Sequence, residues 1–321
     1  MTAAGAGLAF GPLGFGAAGI GNLYREVSDE QAAATIEAAW AGGIRYFDTA
    51  PHYGLGLSER RLGAALRDKP RGEFVVSTKA GRLLEPTANP DDAPDDEGFD
   101  VPADLRRVWD PSEQGIRRSL EDSLARLGLD AVDILYLHDP DFYDLEAGIT
   151  EALPAMQRLR EEGLVRAIGV GANSGKALAE CVRRADLDLV MLAGRYTLLE
   201  QAALHELLPA CVERGVGVVN VGVYNSGLLA RPHVSDNAHY NYAPAPAEIL
   251  DRARRLAAAC TEFGVELPTA ALQFSLRHPA VRTVAVGAAS PEQIAQNVAR
   301  MSEPVPEELW EELLRRGLIP V

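Results

Sequence analysis

Two periods alternate along the chain. Short apolar runs, many of them β-branched, are each followed by a longer stretch with apolar residues every three or four positions. The first run is Leu13–Gly19. Ser28 then opens a helix, with Gln31 as a capping-box partner and Ile36 and Trp40 on its apolar side, and Gly42–Gly43 ends it. Further strands are expected at Ile44–Thr49, Phe74–Thr78, Val132–Leu137, Val165–Val170, Leu189–Leu192, Val216–Val221 and Val281–Val286.

Between these runs the 3.6-residue period predicts helices from about Ser58 to Arg67, and from Pro111–Ser112 through Ile116, Leu120, Leu124 and Leu127. Others carry Ile149, Leu153, Met156 and Leu159, or cover 175–184, 201–214, 247–263, 268–277 and 291–300. Strands separated by helices run parallel, and nearly continuous apolar runs suit strands covered on both faces. Eight such units predict an α/β fold, a (β/α)8 TIM barrel, as one domain over residues 1–321. A doubly wound open sheet is the alternative, but no GxGxxG turn follows the Leu13–Gly19 run.

Three segments lie outside the repeat: the acidic, Pro-rich 81–111, the His/Tyr/Asn/Pro-rich 230–246, and the tail after Met301. The first two follow strands, so they are expected as long loops at the C-terminal face, where barrel active sites form. Read alone, the acidic segment suits a solvated loop. The tail is expected near the same mouth.

Composition narrows the function. Of 321 residues, 47% are apolar and 24% charged, which is ordinary for a globular protein. The net charge of −15 argues against a nucleic-acid partner or an anionic-membrane anchor, both of which want clustered positive charge. No apolar stretch is long enough for a transmembrane helix, and the Gly-rich N-terminus lacks the basic start of a signal peptide. Cys181, Cys211 and Cys260 sit far apart in helical patterns and read as structural thiols, which suits a cytoplasmic protein.

In a packed barrel the informative polar residues are those that end strands. Asp48 ends IRYFD, Lys79 ends FVVSTK, His138 ends VDILYLH, and Tyr53 lies in the loop APHYG. Together they suit proton transfer by a tuned phenol. An ammonium about 4 Å from a phenol is worth up to about 4 kcal/mol at an effective dielectric near 20, which makes the phenol more acidic. A carboxylate keeps that ammonium charged and oriented, and a histidine positions the reacting oxygen. No metal cluster, reactive thiol or GxSxG elbow competes with this set.

At these residues the chain resembles the aldo-keto reductases, through GGIRYFDTAPHYG, VSTKAGR, the strand ending LYLHD and the distal VAVGAASPEQIAQN. The resemblance covers essentially the whole chain. It implies a barrel that binds NAD(P) without a Rossmann domain, and a catalytic tetrad of Asp48, Tyr53, Lys79 and His138. It places the pyrophosphate loop at Gly222–Leu229, with Asn225, Ser226, Gly227 and Leu228 offering N–H groups. It maps the nicotinamide-amide asparagine to Asn173, and the adenosine end to Gly287–Asn297, including Ala288 and Gln293. The family's amide-binding glutamine falls near Ala193 and its stacking tyrosine near Val221, so those contacts depart from the pattern.

Members selective for NADP usually place Arg or Lys near the adenosine end, and Thr283–Asn297 has neither, so NAD is favoured over NADP. The stretches LDLVMLAGRYTLLEQAALHELLPAC, VYNSGLLA, NYAPAPAEIL and LQFSLRHPAV are similar to bacterial aldose 1-dehydrogenases of the L-fucose type, with pyridoxal 4-dehydrogenases beside them. That implies oxidation of a sugar hemiacetal to its lactone. The alternatives are pyridoxal oxidation, NADPH-dependent aldehyde reduction at the same site, or a cofactor-loaded regulatory subunit. His52, Trp109, Asp139 and Tyr224 are the candidate substrate contacts. Oligomeric state is left open.

Overall fold

The structure, a computed structural model, describes residues 7–8, 10–87, 94–241 and 243–320. Eight parallel strands close into a barrel in chain order: β1 Leu13–Gly16, β2 Tyr46–Asp48, β3 Val75–Ala80, β4 Ile134–His138, β5 Ala167–Ala172, β6 Leu189–Ala193, β7 Gly217–Val221 and β8 Val281–Gly287. β8 pairs with β1, with Leu13 opposite Val284, and completes the ring. The expected (β/α)8 architecture is the observed one.

Apolar runs become barrel strands because both faces are covered. All six residues of β3 and of β5 are buried. One face fills the barrel with Tyr46, Val75, Ile134, Tyr136, Leu189, Met191 and Val219. Phe10, ahead of β1, closes the floor with its ring edge-on to Tyr46 at 5.2 Å. The other face packs on the helices through Phe47, Val76, Leu135, Ile168 and Val190. Serines cap several of those helices: Ser28, Ser112, Ser174 and Ser290 each accept a backbone N–H three residues on.

Several expectations need correction. The stretch GFGAAG, Gly14–Gly19, does have GxGxxG spacing, but its first half lies inside β1 and the next α-helix starts only at Asp29. The spacing serves close packing here, not a strand-to-helix phosphate turn. The helix expected over 201–214 is a short 3₁₀ turn followed by Leu207–Arg214. Pro209 lacks an N–H, so it is tolerated in the first turn of a helix starting at Leu207 but not in the interior of one starting at 201.

Nor is the 81–111 segment simply a solvated loop. Arg82–Pro86 and Leu105–Trp109 pair as an antiparallel hairpin, with Arg82 opposite Trp109. Leu83 and Phe99 beneath it are buried; residues 88–93 lie outside the described part. In the 230–246 segment, His239–Tyr240 and Ala243–Pro244 form a small hairpin. The tail packs mainly on the outer helices, and its end comes near a C-terminal-face loop, where Arg252 donates to both the Leu318 carbonyl and Gln201 after β6. Its helix Glu307–Arg315 buries Leu309, Trp310 and Leu313, and the Trp310 ring lies 6.1 Å from Phe274 on the outer helices. Among the described residues, no helix is long and apolar enough to cross a membrane.

Candidate active site

Register brings three of the expected polar residues to one rim. Asp48 pairs with Ser77 across β2 and β3, Lys79 with Tyr136 across β3 and β4, and His138 with Gly171 across β4 and β5. Since β2, β3 and β4 are neighbours, their C-terminal ends present Asp48, Lys79 and His138 side by side. Tyr53 joins them from the loop after β2. That loop turns through three consecutive left-handed residues, Gly54, Leu55 and Gly56. A Cβ on Gly54 would lie 2.2 Å from the Gly21 carbonyl oxygen, so only glycine fits beside Tyr53. Thr49 and Ser58 clamp the loop at its base, their hydroxyls 2.8 Å apart, with Ser58 donating to the Ala17 carbonyl.

Lys79 Nζ donates to Asp48 Oδ2 at 2.6 Å and to the Thr49 carbonyl at 2.9 Å, both pairs fully buried. The ammonium stands 4.7 Å from the centre of the Tyr53 ring. The His138 ring meets the Tyr53 ring edge-on at 6.0 Å. The four expected residues therefore form one cluster.

Their electrostatics correct the sequence argument in one respect. Burial is the largest influence on Tyr53 and pushes its phenol above the ordinary range; Lys79 opposes this without overcoming it. Lys79 itself is held above its usual value: burial acts against the charge, but Asp48 and Tyr53 together outweigh it. Asp48 is raised by burial against the pull of Lys79. His138 falls well below its usual value through burial and the neighbouring cations Arg82 and Lys79, so its imidazole is neutral.

The hairpin contributes residues that the sequence did not flag. Arg82 is buried and donates to Asp139 Oδ2 at 2.6 Å, and its other terminal nitrogen lies 3.2 Å from His52 Nδ1. Arg107 holds Asp95 through two bonds of 2.5 and 3.0 Å and donates to the His52 carbonyl. His52 sits between the His138 and Phe99 rings, 5.4 and 5.2 Å away, and burial beside Arg82 drives its pKa down to about 2. Trp109 stacks on Tyr143 at 4.9 Å. Arginines inside an acidic loop look solvated in sequence, and only the pairing of the hairpin turns Arg82 and Arg107 inward. Of the four candidate substrate contacts, His52, Asp139 and Trp109 meet around this rim. Tyr224 does not: its hydroxyl donates to Asn297 in a separate cleft.

That cleft, of about 1190 Å³, runs between the loop after β7 and the helix after β8. Asn225, Ser226, Gly227, Gly287, Gln293 and Asn297 line it as expected, and so do Arg231 and Arg300. Asn225, Ser226 and Gly227 are consecutively left-handed, and a Cβ on Gly227 would meet only open space. The Asn225 side-chain oxygen is buried without a partner among the described residues. Such a concave turn flanked by two guanidinium groups fits an anionic dinucleotide.

Several of the expected cofactor residues have other surroundings in the structure. The Asn225 and Leu228 amides are spent inside the turn, on the Gly222 and Asn225 carbonyls, so they are not free to donate. Leu228 and Ala288 are buried and lie outside the cleft lining. Asn173 lines a different, smaller cleft of about 500 Å³ with Lys176, Arg195 and His205. Gln293 uses its side-chain oxygen to accept from the Ala289 N–H at 2.8 Å. Cys181, Cys211 and Cys260 are buried free thiols, each pushed up to about 12 by burial, as expected of structural residues. Among the described residues no cluster has a metal-binding arrangement.

Comparison with known proteins agrees with this geometry. The chain is 54% identical to a D-threo-aldose 1-dehydrogenase from Pseudomonas sp, over 99% of this chain and 98% of that protein. It is 42% identical to a pyridoxal 4-dehydrogenase from Microbacterium luteolum, covering 98% and 96% of the two chains. Among solved structures, the holo form of an aldo-keto reductase from Bacillus halodurans superposes with a TM-score of 0.73 at 26% identity, over 96% of this chain and 91% of the other. The family model described as the aldo/keto reductase family matches residues 12–315, and the chain belongs to that family.

Proposed function

We infer that the protein oxidises the hemiacetal of an aldose of the D-threo or L-fucose type to its lactone, passing hydride to a nicotinamide dinucleotide. The observation that carries the chemistry is the buried Asp48–Lys79 pair beneath the Tyr53 phenol. The 54% identity to a D-threo-aldose 1-dehydrogenase supports the substrate class.

The dinucleotide supplies the hydride acceptor when bound; everything else falls to side chains. Tyr53, as phenolate, takes the proton of the anomeric hydroxyl. Lys79 stabilises that phenolate, and Asp48 holds Lys79 charged and in place. The neutral His138 imidazole donates one N–H to the reacting oxygen and orients it. The left-handed turn at Asn225–Gly227, with Arg231 and Arg300 in the same cleft, would hold the pyrophosphate. NAD is favoured, because Gln293 stands where a cation for a 2′-phosphate would be placed and Thr283–Asn297 carries none.

The deciding measurement is reduction of NAD+ and NADP+ with L-fucose, D-arabinose, L-galactose, pyridoxal and simple alcohols. Aldoses with NAD+ should give the highest kcat/KM. A profile led by pyridoxal or by simple alcohols would reject the aldose reading.

A further inference from the structure

Next to the tetrad lies a charged pair whose position suggests a job in substrate choice. Asp139 follows His138 directly and adopts a left-handed backbone, φ 43°. Its N–H donates to the Gly171 carbonyl at 2.8 Å, which fixes the turn. Arg82, from the hairpin over the mouth, grips Asp139 Oδ2 at 2.6 Å. The same oxygen lies 3.4 Å from His138 Nε2. Oδ1 takes no hydrogen bond from any described residue, and the side chain keeps 19% of its surface exposed while Arg82 keeps 6%. Arg82 is itself fixed by His52 Nδ1 at 3.2 Å and lies 5.4 Å over the Tyr143 ring.

A carboxylate clamped through one oxygen and open at the other is a rigid hydrogen-bond acceptor. It stands one side chain from the histidine that orients the reacting oxygen. The carboxylate lies 3.4 Å from His138 Nε2, so a substrate hydroxyl bonded to it while a neighbouring oxygen engages His138 belongs close to the reacting carbon, and the adjacent carbon is the nearest that carries one. We propose that Asp139, positioned by Arg82, recognises a hydroxyl on the carbon adjacent to the reacting carbon, and so makes the enzyme selective for α-hydroxy aldehydes and their cyclic hemiacetals. The inference rests on the oxidoreductase reading of the tetrad and not on any particular sugar. A bond from a neutral hydroxyl to a charged acceptor is worth a factor of roughly 10–100.

Matched pairs that differ only in that hydroxyl provide the test: L-fucose against 2-deoxy-L-fucose in oxidation, and lactaldehyde against propanal in reduction with NADH. The wild type should prefer the hydroxylated member by about 10–100-fold in kcat/KM. Asp139→Gly, which accepts the left-handed backbone without strain, should bring that ratio close to one. Asp139→Asn, which also tolerates it, provides a second variant of conserved shape and should reduce the ratio partway. Absence of a preference in the wild type would overturn the proposal. So would an equal loss on both members of a pair, since that would leave Asp139 merely orienting His138. Should no aldose be oxidised while the lactaldehyde preference holds and collapses in Asp139→Gly, the sugar reading fails and this one stands.

Discussion

Tyr53 is the residue on which turnover depends most directly. Tyr53→Phe removes the only proton carrier of the proposed reaction while keeping the ring against His138 and Phe99. We expect kcat to fall by roughly 10²–10⁴-fold, with dinucleotide affinity retained in a fluorescence titration; unaltered turnover would rule out the phenol. Because burial holds the Tyr53 phenol above its ordinary value, the phenolate fraction at neutral pH is small and grows with pH. Oxidation should therefore accelerate towards alkaline pH, and a rate independent of pH between 6 and 10 would contradict that assignment. Asp139 supplies a second pH signature. Burial raises its carboxyl to about 6, with Arg82 and Lys79 pulling down and Asp141 and Glu97 pushing up, and with neutral His138 alongside. It is protonated below that value and charged above it. Preference for an α-hydroxylated substrate should accordingly be weak at pH 5 and strong by pH 7.5.

At the scale of elements, the hairpin Arg82–Pro86 and Leu105–Trp109 brings Arg82, Arg107 and Trp109 to the rim beside His52 and Asp139. It is anchored by the buried Arg107–Asp95 pair and by Phe99 against the His52 ring. Removing one member of a buried ion pair leaves the other charge uncompensated, at a cost of about 3–5 kcal/mol. Arg107→Met should thus loosen the hairpin selectively. Hydrogen exchange should speed up over residues 94–109 and KM for the sugar should rise, while the barrel strands keep their protection. Uniform destabilisation of the whole chain would show that the hairpin is not a separate unit. This element also shows where sequence reading failed. Acidic, Pro-rich chain reads as solvated because its charges have no visible partners. Arg107 on Asp95 and Arg106 on Glu85 are partners supplied from within the same segment once its two arms pair, while Arg82 reaches outside it to Asp139.

For the whole molecule, the −15 net charge sits oddly with an anionic cofactor until the cleft is considered. Arg231 and Arg300 line it locally and provide the positive field that the chain as a whole lacks. Neither falls in the Thr283–Asn297 stretch: Arg300 stands one turn further along the same helix, Pro291–Ser302, and Arg231 comes from the loop after β7. Binding to the folded state alone stabilises it by about 2.7 kcal/mol at a ligand concentration of 100 Kd. NAD+ should consequently raise Tm, and by more than NADP+ at equal concentration; the reverse order would favour NADP as the cofactor.

What the amino-acid sequence determined by itself is the alternation of strand and helix, the closure of eight such units, and the four polar residues that end strands or follow them. Those features are periodic or positional, and a parallel barrel turns position at a strand's end directly into position at the mouth. Tertiary structure alone decided the rest. It placed Tyr224 with Asn297, set Asn173 in another cleft, spent the Leu228 amide inside its own turn, and swung Arg82 inward onto Asp139. It also reversed the expected balance at Tyr53. The strength of a nearby lysine can be argued from charge and distance, but the cost of burying a phenol depends on how completely the finished fold excludes water around it.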